Sequence, residues 1–424
     1  MKNILNKIFF KSNNLDYIIR DIKNLTENTP VNKIFEAVNS SSYDAEIRYV
    51  GGCIRKIINK EKVDDIDLAT NLEPLEICKI LKKNNINFYP SGIEHGTITA
   101  IIDEYKFEIT SLRNDISTDG RHASVKFSKD WREDASRRDF SINSIYSDKD
   151  GNLFDPFNGK KDIENGLINF IGDTDKRIKE DYLRILRYLR FFLVYSKQKH
   201  KPSIIKKIKI NIGGISKLSK ERLIQELRKI TKLDSLEKLS KDKISLELTS
   251  MIFPELKNID VFSQLNSKKR EILKDSDFIF LLSLLIIDGT DNAEYFTYKF
   301  RISKKDQKRI HVINDFYKTK INSKTYTEHN MNKIFYYQGK QTVIDIINFR
   351  IIRAKKTDEK LLKLSKNYQN KLTPIIPISA EDLMIKYQIP EGKQIGNKLR
   401  LIEAAWVENN FQISEQKVEN IIKS

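Results

Sequence analysis

The 424-residue chain reads as a small α/β head followed by an all-α remainder. Short alternating segments separated by turns dominate to about residue 154, as half-buried strands do. After Asp155-Pro156, long helical periodicity takes over with almost no strand signal. Within the head sits a strand, a glycine pair, a short helix and an acidic strand, a unit that brings backbone donors and carboxylates to one place.

Residues 31 to 41 form an amphipathic helix ahead of this unit. Ile47-Arg48-Tyr49-Val50 is a strand leading into Gly51-Gly52, where the lack of Cβ lets the backbone turn sharply and approach a ligand. A helix from Ile54 to about Asn59 follows, and its first N–H groups are open to an anion. The chain returns as Val63-Asp64-Asp65-Ile66-Asp67-Leu68, and alternation along a strand sets Asp65 and Asp67 on one face. Two carboxylates side by side repel unless cations sit between them, and hard oxygen donors suit magnesium. Tyr105 to Thr110 alternates as a strand with Phe107 and Ile109 on one side and Glu108 on the other. Paired beside Asp65 and Asp67, Glu108 completes a three-carboxylate cluster. A phosphate cradle beside such a cluster suits nucleotidyl or phosphoryl transfer.

Farther along, Arg137-Arg138-Asp139 and Asn143 combine forked phosphate donors with a carboxylate acceptor, and Phe140, Ile142 and Ile145 anchor the segment on a core. Arg113 to Val125 is polar, contains Asp119-Gly120-Arg121, and reads as a mobile loop. Lys179 to Arg190 reads as one helix, with Asp181 and Arg184 three apart on one face and Glu180 and Arg187 flanking it. An aspartate accepts from an exocyclic amine and an arginine donates to a ring nitrogen. Cytosine and adenine offer that edge, whereas uracil and guanine reverse it.

Taken in order, Gly51-Gly52-x-x-Arg55, Asp65-x-Asp67, Glu108-Ile-Thr-Ser-Leu-Arg113, Arg137-Arg138-Asp139-Phe140-Ser-Ile-Asn143, Asp155-Pro156-Phe157-x-Gly159 and Glu180-Asp181-x-x-Arg184-x-x-Arg187 resemble the class II tRNA nucleotidyltransferases. That family holds the bacterial and eukaryotic CCA-adding enzymes and bacterial poly(A) polymerases. The dense match runs from about Arg48 to Arg190, with a weaker continuation through Ser219-x-Glu221-Arg222 to Gly392-x-x-Ile395-Gly396. Two departures stand out. Lys56 replaces a usual acidic residue, which should alter local ion pairing and leave the chemistry in place, and Ser141 replaces a threonine but keeps the hydroxyl.

The resemblance implies an α/β nucleotidyltransferase head (1–155), then an all-α neck (156–232), body (233–325) and tail (326–424). It implies CCA addition to tRNA from CTP and ATP. Asp65 and Asp67 would hold two magnesium ions with Glu108 in support. Gly51, Gly52, Arg55 and Arg138 would hold the triphosphate, Asp139 and Asn143 the ribose, and Arg113 would belong to the same nucleotide-binding set. Asp181 and Arg184 would read the base, with Glu180 and Arg187 flanking them in the nucleotide-binding set. The family's flexible loop lies between Arg113 and Val125 and is associated with the switch from C to A addition.

Net charge is +18, and residues 186 to 233 hold 14 Lys/Arg against 2 acids, so a polyanionic partner such as RNA fits this stretch. An AT-biased genome would also enrich lysine, which makes the concentration of charge the better argument. Cys53 and Cys78 are the only cysteines, too few for a disulfide framework and suited to a reducing cytoplasm. Cys53 is a small turn residue, and the five histidines show no metal-ligand spacing. Ile4 to Phe10 is too short and too polar for a signal peptide, and no long apolar run points to a membrane. No signal speaks to oligomeric state. Two other functions remain open: a poly(A) polymerase or A-adding enzyme with the same site, and a non-catalytic RNA-binding protein on a decayed transferase fold.

Overall fold

A seven-stranded sheet, in the strand order Asn87–Gly92, Thr97–Ile102, Tyr105–Ser111, Ile66–Thr70, Ile47–Val50, Tyr146–Ser147 and Leu153–Phe154, positions the acidic strand at its centre. The computed structural model describes residues 17–118, 123–319 and 323–424, and the chain forms two compact units, Met1–Leu227 and Arg228–Ser424. The first opens with α1 (residues 17–27), which the sequence reading did not foresee, and α2 (Val31–Asn39). It continues through β1 (Ile47–Val50), α3 (Gly52–Ile58), β2 (Ile66–Thr70), α4 (Pro74–Lys83), β3 (Asn87–Gly92), β4 (Thr97–Ile102) and β5 (Tyr105–Ser111).

β2 and β5 are parallel whereas the other pairs of this sheet are antiparallel. A parallel pair needs a crossover, supplied by α4 with the β3-β4 hairpin. α4 starts cleanly because Pro74 follows a Glu73/Glu76 capping box, and it buries Ile77 and Leu81. On β5, Phe107 and Ile109 are buried while Glu108 is exposed, the alternation the sequence predicts.

β6 (Arg113–Thr118) and β7 (Ala123–Phe127) correct the expected loop, because they pair antiparallel from Arg113↔Phe127 outward. Their polar composition hid the strands; the hairpin is closed at its base by Ser128 N–H to Leu112 O (2.9 Å) and Asn114 Nδ2 to Glu133 Oε1 (2.7 Å). Asp119-Gly120-Arg121 lies outside the described residues, as does Ile4 to Phe10. Next come α5 (Trp131–Ser136), β8 (Tyr146–Ser147), β9 (Leu153–Phe154), α6 (Gly159–Asn165), α7 (Thr174–Glu180), α8 (Leu183–Tyr195), α9 (Pro202–Asn211) and α10 (Lys220–Ile230). The expected single helix over 179–190 is interrupted. Asp181 is extended (φ −152°, ψ 107°) and its Oδ1 accepts the Leu183 N–H at 3.0 Å. A local side-chain bond of this kind competes with helix continuation.

The second unit is helical among its described residues. Helix Phe278–Ile286 is buried along its whole length. One core gathers Met331, Phe335, Val343, Ile347, Ile351 and Tyr368, and a separate one near the C-terminal end gathers Leu383, Ile395, Ile402 and Val418. No helix of the described residues is long and apolar enough to cross a membrane.

Candidate active site

Gly51 takes φ +70° and ψ −110°, a region that side chains avoid. Its N–H meets Ile145 O at 3.1 Å, and its carbonyl accepts the Arg55 N–H at 3.0 Å to start α3. A Cβ on Gly51 would stand 3.5 Å from Arg138 Nη1, and one on Gly52 would stand 3.8 Å from Asp67 Oδ2. The turn, a guanidinium and a carboxylate therefore meet. Cys53 beside it is buried and donates to Val50 O at 3.3 Å, and burial pushes its thiol up to about 11, so it is inert at neutral pH. Lys56 pairs with Asp64 at 2.8 Å.

Asp65 lies exposed one residue before β2, Asp67 is half-buried on it, and Glu108 is its register partner on β5. Burial and then Glu108 hold the Asp67 carboxyl above the usual carboxylate range; Asp65 adds to this, while Arg138 and Arg55 oppose it. Crowded carboxylates of this kind gain from a cation. No set of three or more His, Cys, Asp or Glu among the described residues is arranged as a ready metal cage. Magnesium typically takes one or two carboxylates and completes its shell with water and substrate phosphate oxygens, so these hard oxygens fit a divalent ion.

A buried ion network backs the glycine turn. Asp134 on α5 is 1% exposed and accepts from Arg137 (2.7 Å), Arg138 (3.2 Å) and the Tyr146 hydroxyl (2.6 Å). Burial alone would raise its carboxyl, but the two arginines and Tyr146 bring it down to about 2. Arg138 also donates to Tyr146 Oη at 3.0 Å, and its own value is raised by Tyr146 and Asp134 against the cost of burial. Asp139 accepts from Phe140 N and Asn143 Nδ2, both at 2.9 Å, and from Arg187 Nε at 2.6 Å. Arg187 and Asn143 hold it low despite full burial. Asn143 Oδ1 in turn accepts from Arg55, whose guanidinium lies 4.9 Å over the Phe191 ring. Arg55, Asn143, Asp139 and Arg187 thus form one chain from α3 to α8.

Two motif residues explain their spacing. Asp155 accepts the N–H groups of Gly159 (2.7 Å) and Lys160 (2.9 Å) at the start of α6. Gly159 packs so closely that a Cβ would fall 2.1 Å from Ser141 O.

At the break between α7 and α8, pairing differs from the expected Asp181/Arg184 face. Glu180 Oε2 accepts from Arg184 at 2.6 Å, and Asp181 Oδ2 accepts from Arg222 at 2.8 Å. Arg187 instead reaches Asp139. Arg113, at the root of the β6-β7 hairpin, turns its guanidinium onto His95 O and gives its N–H to Asp134 Oδ1 at 3.3 Å. The structure therefore brings Gly51, Gly52, Arg55, Asp67, Glu108, Arg138, Asp139, Asn143 and Arg187 into one contiguous set, and holds Glu180, Asp181 and Arg184 at the break. Sequence reasoning missed Asp134, Tyr146, Arg177 and the role of Arg222. Helical spacing to Arg137 and Arg138 was the available clue for Asp134, and spacing to Glu180 the clue for Arg177; the Arg177 bonds to the Arg137 and Arg138 carbonyls and the Arg222 bond to Asp181 cross about forty residues and had none.

A mixed sheet carrying carboxylates on a central parallel strand pair, beside a glycine turn that opens a helix, defines a nucleotidyltransferase head. Residues 47–169 match the Poly A polymerase head domain family. The chain is 32% identical to human CCA tRNA nucleotidyltransferase 1, mitochondrial, over 89% of this chain and 86% of that one. It is 30% identical to a CCA-adding enzyme of Staphylococcus haemolyticus over 74% of each. Its fold is similar to that of the Bacillus stearothermophilus CCA-adding enzyme in complex with CTP, with TM-score 0.68, 20% identity, and 92% of this chain and 95% of that one covered. The chain belongs to the CCA-adding tRNA nucleotidyltransferase family. Nucleotidyltransferases of this kind use divalent metal ions.

Proposed function

We propose that this protein adds the 3′-terminal CCA to tRNA without a template, using CTP and ATP and releasing pyrophosphate. The observation that carries this reading is the Asp67/Glu108 pair beside the Gly51-Gly52 turn and Arg138, with Glu180, Asp181 and Arg184 held at a helix break in the same unit. Gly51, Gly52, Arg55 and Arg138 hold the triphosphate, with Arg113 at the hairpin root assisting. Asp139 already has three donors, and a carboxylate offers about four lone-pair directions. One remains for a ribose 2′-OH, with Asn143 keeping the group oriented.

Asp65 and Asp67, supported by Glu108, would hold magnesium, which when bound lowers the pKa of the attacking RNA 3′-hydroxyl and neutralises the leaving pyrophosphate. Asp181 accepts from the exocyclic amine of C or A while Arg184 donates to the ring nitrogen, and Glu180 orients Arg184. Residues 1–155 supply the chemistry, 156–232 select the nucleotide, and the basic stretch of that neck together with the tail, 326–424, grips tRNA by charge and shape. The hairpin between Arg113 and Val125 takes part in the change from C to A addition. Two cysteines without a disulfide framework support a cytoplasmic setting.

Incubation with magnesium, tRNA shortened by one, two or three 3′-nucleotides, and each NTP separately tests this. CTP should extend only the two shorter tRNAs, and ATP only the tRNA ending in CC. Repeated A addition would make the protein a poly(A) polymerase, A addition without C an A-adding enzyme, and no incorporation a non-catalytic RNA binder.

A further inference from the structure

We propose that Arg177, which no motif above includes, is a positioning residue for nucleotide selection, and the inference rests on the assignment of base reading to Asp181 and Arg184. Arg177 stands at the middle of α7, with its side chain 12% exposed. Its Nη2 donates to two successive backbone carbonyls, those of Arg137 and Arg138, about forty residues earlier in the chain. Its Nη1 donates to Glu180 Oε2. That same oxygen accepts Arg184 Nη1 at 2.6 Å, and Arg184 Nη1 also donates to the Arg177 carbonyl at 2.8 Å. One planar guanidinium thus links the backbone of the triphosphate-side segment to the carboxylate that orients the base-reading arginine.

The helix does not need Arg177 in order to form. α7 is started by Asp173, which accepts the Lys176 N–H at 2.9 Å, and is anchored by buried Ile178. What Arg177 adds is a fixed relation between two segments that must act on one nucleotide: Arg138 at the glycine turn and Arg184 at the helix break. A fork with several fixed donors can hold three acceptors at once, and a lysine ammonium on a flexible stem cannot reproduce that geometry. Small displacements of a positioned group weigh heavily on the transition state.

The test uses the full chain with Arg177→Ala, Arg177→Lys and, as a control on the base-reading assignment, Arg184→Ala. Steady-state constants are measured for CTP and UTP on tRNA lacking CCA, and for ATP and GTP on tRNA ending in CC, together with the KM for tRNA and the Tm. Arg177→Ala and Arg177→Lys should each lower the CTP/UTP and ATP/GTP ratios of kcat/KM by about tenfold, the scale of one lost base contact. The fall should come mainly through kcat for the correct nucleotide, with the KM for tRNA changed less than about twofold because phosphate contacts are separate. Should Arg177→Ala fail to fold, Arg177→Lys decides. Wild-type ratios in the Arg177 variants while Arg184→Ala relaxes them would overturn the positioning role and leave the base-reading assignment intact. Full selectivity in Arg177→Lys would equally overturn it, because charge without the fork would then suffice. Wild-type ratios in Arg184→Ala would remove the base-reading assignment itself, and the inference with it.

Discussion

Two sets of carboxylates in the first unit have opposite electrostatics. Asp65, Asp67 and Glu108 crowd one another at the sheet, and the Asp67 carboxyl is held above its usual range. Asp134 and Asp139 are more deeply buried, yet both are held below it because arginines and hydrogen-bond donors surround them. Glu180 and Asp181 are likewise paired with Arg184 and Arg222. Burial alone would raise Asp67, Asp134 and Asp139 alike, so the difference lies in the partners the fold supplies. On the proposed reading, the unpaired set is the one that takes cations arriving with the substrate. The paired set fixes arginines in place, and on the proposed reading Asp139 and Asp181 keep an acceptor direction for ribose and base as well.

Substitution should separate the two sets by what is lost. The largest effect is on chemistry: Asp65→Ala or Asp67→Ala should cut incorporation on the order of 10²–10³-fold or more, the range for losing one preorganised electrostatic group. Thermal stability should hold or rise, since carboxylate repulsion is relieved. Substantial turnover in either variant would place the metal elsewhere.

Asp134→Ala should do the reverse and destabilise the fold by about 3–5 kcal/mol, because two arginines lose their buried counter-charge. Urea unfolding measures it, and a loss under about 1 kcal/mol would mean water replaces the carboxylate at little cost. The pH dependence follows from the same group. Its folded value near 2 lies below the ordinary 3.8, so the stability it contributes is complete above about pH 4 and disappears as pH falls toward 2. Asp134→Asn should flatten that acid limb.

Next in size, Asp181→Ala and Arg184→Ala should weaken preference for CTP and ATP over UTP and GTP by about 1–3 kcal/mol. Unchanged misincorporation in both would assign the helix break to structure alone. The smallest effect concerns the lysines on and before α9. That helix buries Ile204, Ile205 and Ile208, while Lys197, Lys199 and Lys206 are exposed. Neutralising these three should raise the KM for tRNA and reduce the slope of log affinity against log salt by up to about one unit per lost phosphate contact, with the KM for CTP little moved. An unchanged salt slope would turn this face away from RNA.

Local pattern by itself determined much of this protein. The glycine turn, the strands bearing Asp67 and Glu108, and the helical remainder are written in periodicities of two and 3.6 and in backbone needs that a neighbouring residue or two can express. The β6-β7 hairpin was illegible because its strands are polar, and what makes them strands is cross-strand pairing. The break at Asp181 was equally hidden, since helical spacing from Lys179 to Arg190 is sound until Asp181 takes the Leu183 N–H and Arg222 takes its other oxygen. Only the tertiary structure decided which acids were paired. Asp67 and Asp134 are alike as residues, but one faces Glu108 across a parallel pair and the other faces two arginines and Tyr146. Charge compensation is a property of neighbours in space, and such partners as Arg187 with Asp139 or Arg222 with Asp181 are far apart in the chain.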